Sequence, residues 1–220
     1  MVLEPSPFGP SATMQGRCGN ASTSRRLQLE GRLGKETMHP TSNNALASFT
    51  SIFSLPPGTL LLLTGPRGSG KTTWCQNLYQ RALEKELRVG GVISPAVMKD
   101  GRKWGMRVQI LPGTEQREFA WSRSEKDPPS WSKNWCFDES SLAWANEHLA
   151  RLEDVELLII DELGPLEFEM GRGLQHAFPL LDERNYRLAV VVVRPSLLSQ
   201  AQARWPWAQV IPLAENIADD

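Results

Sequence analysis

The sequence predicts an α/β protein: a three-layer fold with a mainly parallel central sheet and a β-hairpin set in after the first long helix. Three observations predict it. Short apolar runs, TLLLLT (59–64), VELLII (155–160), LAVVVV (188–193) and AQVIPL (208–213), read as strands, the first suited to burial on both faces. Segments with helical spacing of apolar residues separate them. Between the first two runs, KDGR places Asp100-Gly101 between two strand-like stretches, a two-residue hairpin pattern.

Residues 1–43 stand apart. They are rich in Ser, Gly, Pro, Thr and Asn, with basic residues but no apolar period, and bury too little to offset the entropy of ordering. A disordered tail, or a start placed too early given Met14 and Met38, is expected there, with one domain over 44–220. Leu46, Phe49, Ile52 and Phe53 share one face of a short helix. After the first strand, a helix carries Trp74, Leu78, Ala82 and Leu83 on one face, and Gly90-Gly91 is expected to stop it. VGGVISPAVM and KWGMRVQIL flank the hairpin turn, and REFAWS adds a strand. SEKDPPSWSKNWC reads as a loop. Asp138 is a plausible N-cap for a helix striped by Leu142, Ala145, Leu149 and Leu152. A weaker helix spans 171–184, where Pro179 implies a kink or a late start.

Composition narrows the function classes. At 40% hydrophobic and 22% charged residues with a net charge near −1, neither nucleic acid nor an anionic membrane is favoured as a partner. No apolar run approaches the roughly 18 residues of a membrane span. Cys18, Cys75 and Cys136 lie far apart, as do His39, His148 and His176, so no zinc motif is present and thiols in a reducing, cytoplasmic compartment are expected.

GPRGSGKT fits G-x-x-x-x-G-K-[ST] over Gly65–Thr72, after a predicted strand and opening a helix. Glycines let successive N–H groups turn inward around a phosphate, and the helix N-terminus adds its positive end. The candidate nucleotide-binding residues are therefore Gly65, Pro66, Arg67, Gly68, Ser69, Gly70, Lys71, Thr72 and Thr73. Lys71 reaches the β and γ phosphates, and the Thr72 hydroxyl is a candidate ligand of magnesium. Arg67 is within reach of phosphate, although a solvated charge is its ordinary reading.

The run VELLII ends in Asp161 and Glu162. Ligands of open α/β sheets sit beyond the carboxyl ends of the strands, so these acids are delivered to the same edge as Gly65. Asp161 is the second candidate magnesium ligand. Glu162, with Lys71 the candidate catalytic pair, is placed to polarise a water for attack on a γ phosphate; activation of a bound hydroxyl would make a kinase instead.

IIDELGPLE behind LLLLTGPRGSGKTT resembles the small P-loop nucleoside-triphosphatase family known from thermophilic microbes and from a human cancer-related member. GGVISP…DGRKWGMRVQIL is similar to that family's second block, and the resemblance covers about residues 57–213. It implies a RecA-like P-loop fold and slow, magnesium-dependent hydrolysis of ATP, GTP and other nucleoside triphosphates. Glu167 matches the last acid of the family signature, with a structural or water-positioning role implied. PAVM puts Ala96 and Met98 where the family has charges, leaving Arg102 and Arg194 as replacements for a catalytic arginine. Three readings follow: a triphosphatase, a small-molecule kinase, and a nucleotide switch serving cofactor maturation through a protein partner. Trp104, Trp121, Trp131, Trp135 and Trp144 are expected to pack the core and a lid at PPSWSKNW rather than to stack on a base.

Overall fold

The structure, a computed structural model, describes residues 49–125, 132 and 134–214. The expected tail and most of PPSWSKNW lie outside the described residues. A short helix α1 (Phe49–Ile52) precedes β1 (Thr59–Thr64), whose six residues are all buried. Period-two alternation sends Leu60 and Leu62 into one apolar layer and Leu61 and Leu63 into the other. Each is wholly buried, which favours folding by about 1.5–3 kcal/mol per side chain before entropy is counted. This two-sided burial makes the fold three-layered.

Helix α2 (Lys71–Glu84) buries Cys75, Leu78, Tyr79 and Ala82 against the sheet. Leu83 is exposed, contrary to the expected stripe, because Tyr79 and Cys75 complete the packed face in its place. The helix ends at Glu84, where the N–H of Lys85 donates to the Ala82 carbonyl and that of Glu86 to the Leu83 carbonyl. Gly90-Gly91 is therefore no helix stop: both lie inside strand β2 (Val89–Ile93). The chain breaks at Ser94-Pro95 and makes the hairpin β3 (Ala96–Lys99) and β4 (Arg102–Leu111), turning on Asp100 and Gly101 with φ of 49° and 71°. Strand β5 (Gln116–Ser122) follows. Part of the segment read as a loop then forms a strand, β6 (Trp135–Phe137), because β5 offers it a free edge at Ala120–Ser122.

Asp138 caps α3 (Glu139–Ala150), accepting the N–H groups of Ser140 and Ser141. Strand β7 (Leu157–Leu163) runs on through both acids. A single turn α4 (Pro165–Phe168) and α5 (Ala177–Glu183) lead to β8 (Leu188–Val193). The late start of α5 puts Pro179 in its first turn, where a missing N–H costs nothing. A 3-10 turn (Pro195–Leu197), α6 (Leu198–Arg204) and β9 (Gln209–Pro212) complete the described chain.

The strands order as β6-β5-β4-β2-β7-β8-β1-β9, with β3 also on β4. From β2 to β9 every pairing is parallel, and from β2 outward through β4 every pairing is antiparallel. The parallel half aligns its carboxyl ends, so Gly65 after β1, Ser94 after β2, Asp161 and Glu162 in β7, and Arg194 after β8 meet at one edge.

Candidate active site

Helix α2 begins directly at Lys71, so the amides of its first turn face the edge where β1 ends. Lys71 folds back over the loop: its Nζ donates to the carbonyls of Gly65 at 2.8 Å and Pro66 at 2.6 Å, and to Ser69 Oγ at 3.3 Å. Partial burial draws its pKa down, against the carboxylates of Glu162 and Asp161, which favour the ammonium; Arg194 adds to the lowering. Thr72 is half-buried, while Arg67 and Thr73 are exposed.

Asp161 is 2% exposed. The Ser94 backbone N–H donates to its Oδ2 at 3.1 Å. Burial raises its pKa to about 6, opposed by the Ser94 N–H and the Thr72 hydroxyl, both of which favour the carboxylate. The loop threonine thus acts on the strand aspartate, although strand β8 lies between β1 and β7. Glu162 is half-buried and its Oε1 accepts from Arg194 Nε. Arg194, offered as a replacement arginine, is thus one half of an ion pair, with the candidate base as its partner.

Glu167 has a different place. It is 7% exposed, and its two oxygens accept the N–H groups of Gly164 at 2.7 Å and Leu174 at 3.0 Å. It therefore ties both ends of the segment 164–174 together, which is the structural one of its two implied roles. EMGRG (169–173) belongs to this arrangement. A Cβ at Gly173 (φ 70°) would collide with the Glu167 carboxylate, so only glycine lets the chain close around it. Burial pushes the Glu167 pKa up to about 7 against the two N–H donors. A raised carboxyl pKa favours the folded state fully below the unfolded value near 4.5 and loses that contribution as pH climbs through 7. Urea denaturation should show the wild type losing up to ~3 kcal/mol relative to Glu167→Gln between about pH 4.5 and 8. A pH-independent difference would show that the hydrogen bonds, not burial, dominate.

Arg102, offered as a replacement arginine, is exposed at the hairpin tip, paired with Lys99 across the turn. Strand alternation turns the next residue the other way, and Lys103 is the half-buried cation. Burial lowers its pKa; Glu162 and Asp161 act to raise it, while Arg67 and Arg194 act to lower it. Lys103 thus stands in the field of the acids and the loop. Sequence reading missed it, although the period of two after a fixed hairpin turn was the available signal. Ser94 was missed for another reason: it acts through its backbone.

The tryptophans support the sheet. Lys99 lies 3.2 Å from the Trp104 ring centre and Arg117 4.2 Å from that of Trp144. Trp205 is wholly buried, its indole N–H donating to Asp182 Oδ1 at 2.8 Å. Trp131 lies outside the described residues.

A glycine loop between a buried strand and a helix, with a lysine, a threonine and two strand-end acids converging on it, defines a P-loop protein of the three-layer α/β class. The chain belongs to the NTPase family, whose model it matches over residues 60–211. It is 28% identical over 134 residues to the nucleoside-triphosphatase THEP1 of Thermococcus kodakarensis, covering 60% of this chain and 74% of that one. With THEP1 of Methanothermobacter thermautotrophicus it shares 34% over 113 residues, 50% of this chain and 62% of the relative. The fold is that of the crystal structure of THEP1 from Aquifex aeolicus (TM-score 0.55, 20% identity, 73% of this chain and 93% of that one). It is likewise that of the solution structure of a human cancer-related nucleoside triphosphatase (TM-score 0.53, 21% identity, 71% and 88%). Among the described residues no helix is long and apolar enough to cross a membrane.

Proposed function

We propose that this protein hydrolyses nucleoside 5′-triphosphates, ATP and GTP as well as CTP and UTP, to the diphosphate and phosphate, with magnesium as cofactor. One observation carries the reading: Lys71 and Thr72 on α2 and Asp161 and Glu162 on β7 converge on the P-loop from two elements far apart in sequence. The relatives named nucleoside-triphosphatases support it.

Thr72 and Asp161 would hold the magnesium ion. The fit rests on their chemistry: two hard oxygen donors in mutual influence, one anchored by the Ser94 amide. Magnesium keeps several waters and takes only one or two protein carboxylates beside substrate phosphates, so so small a donor set suffices. Bound there, the ion supplies charge neutralisation on the β and γ oxygens. The chain's own groups do the rest. The loop amides and Lys71 hold the phosphates and stabilise charge building on the β–γ bridge. Glu162, oriented by Arg194, takes the proton of the attacking water. Lys103 and Arg194 supply positive charge toward the γ phosphate, where a catalytic arginine would act. The buried Cys75 thiol fits a reducing cytoplasmic setting.

The test is phosphate release from the four nucleotides, with and without magnesium. Glu162→Gln should keep nucleotide affinity and lower kcat by about 10²–10⁴-fold, the usual contribution of a general base. Unchanged turnover would remove Glu162 from the mechanism.

A further inference from the structure

A cavity of about 330 Å³ adjoins the phosphate site, and hydrolysis does not account for it. Its body is apolar and aromatic, built from Met106 on β4, Phe119 on β5, Trp135 and Phe137 on β6, and Leu142 on α3. Its polar end is formed by Glu162, Arg194 and Ser94, residues that also frame the phosphate site. The volume falls at the lower end of the range for small-molecule sites, about 300–1,000 Å³.

Attack by water needs no such chamber. Apolar walls offer water few hydrogen bonds, and they favour an occupant with apolar surface to bury. The ionic groups at the polar end neutralise one another, because Arg194 is paired with Glu162, so an uncharged occupant suits them best. Glu167 also borders the cavity, but its two oxygens are committed to Gly164 and Leu174. Among the described lining residues, that leaves Glu162 as the carboxylate able to accept a proton from the occupant.

We propose that this cavity is an acceptor subsite: it takes a small uncharged alcohol with an aromatic or branched apolar body and presents its hydroxyl to Glu162, so that the γ-phosphoryl group passes to the alcohol in place of water. The inference rests on the hydrolytic reading of Glu162. In the step, a bond forms between the alcohol oxygen and Pγ while the bond from Pγ to the β–γ bridging oxygen breaks. The electron pair leaves with the diphosphate, and the hydroxyl proton passes to Glu162 and then to solvent. Nothing is oxidised or reduced. The products are a nucleoside diphosphate and a phosphate monoester, and hydrolysis is the same step with water as acceptor.

The experiment follows ³¹P resonances of full-length protein turning over ATP with magnesium, in the presence of benzyl alcohol, 2-phenylethanol, tryptophol or isoamyl alcohol. Methanol and benzyl methyl ether are the controls. The expected result is a monoester resonance with at least one apolar alcohol, its ratio to free phosphate about tenfold above that with methanol, as burial of a ring-sized apolar surface allows. Met106→Trp fills the chamber, and Met170→Trp narrows its rim at an exposed position. Either should lower the monoester-to-phosphate ratio, which is read within one sample and so does not depend on how much of the variant is active. Phosphate release with no monoester from any alcohol would overturn the acceptor subsite and leave hydrolysis standing. Neither product would overturn the hydrolytic reading and the inference with it. An unchanged ratio in both variants would place the transfer outside the cavity and overturn the proposal.

Discussion

Lys71→Ala is expected to abolish phosphate release, lowering kcat/KM by at least about 10³-fold, the scale on which removal of preorganised charge from a reacting oxygen acts. Its ammonium lies over the loop, held by the Gly65 and Pro66 carbonyls and the Ser69 hydroxyl. This geometry sets the charge within the concavity that the loop amides face, at little cost in reorganisation when phosphate binds. Alanine removes the charge at a half-buried position outside both apolar layers, so the fold should survive and circular dichroism should be unchanged. Lys71→Arg should fail nearly as badly. A planar guanidinium directs its donors in a fixed fork and does not fit a pocket shaped for a compact ammonium. Turnover at the wild-type rate in Lys71→Ala would remove the proposed function.

The second large effect is on stability. Gly91→Ala should cost at least about 4 kcal/mol, a large part of the 5–15 kcal/mol that holds a typical domain folded. Gly91 sits in β2 with φ of 120°, opposite Ile159 of β7 on one side and Leu111 of β4 on the other. A Cβ there would fall onto the Ile159 main chain, with its carbonyl carbon at 2.8 Å and its nitrogen at 2.9 Å. Main chain in a central strand cannot step aside without breaking the ladder that positions Asp161 two residues further on. Gly90→Ala is the control. There a Cβ meets the ends of the Val155 and Leu152 side chains at 2.8 and 2.9 Å, and these can rotate away, so about 1–2 kcal/mol is expected. Urea midpoints compare the two, and equal losses would refute the backbone argument.

The same glycine pair shows where sequence reading fails. Gly-Gly after a helical stretch suggests a stop, and nothing local distinguishes that from a strand pressed against a neighbour. The neighbour, β7, lies 68 positions away in the register pair Gly91↔Ile159. Strand β6 failed to appear in the sequence for a similar reason: three residues carry no usable period, and the edge of β5 supplies their pairing. By contrast, the Asp100-Gly101 turn, the Asp138 cap and the late α5 start were legible, since each depends on contacts within a few residues.

The sequence by itself determined the buried parallel strands, the phosphate loop with Lys71 and Thr72, and the acids Asp161 and Glu162 at a strand's end. These are contiguous, and contiguous chemistry needs no folding to be read. The fold alone brings Thr72 under the influence of Asp161 across an intervening strand, gives Arg194 Glu162 as its partner, and puts Lys103 rather than Arg102 in the field of the acids. It also decided that Glu167 and Gly173 close one loop, and that aromatic residues from β5 and β6 enclose a chamber beside Glu162. Each of these depends on how strands far apart in sequence are placed side by side, and that placement is set by burial of both sheet faces together.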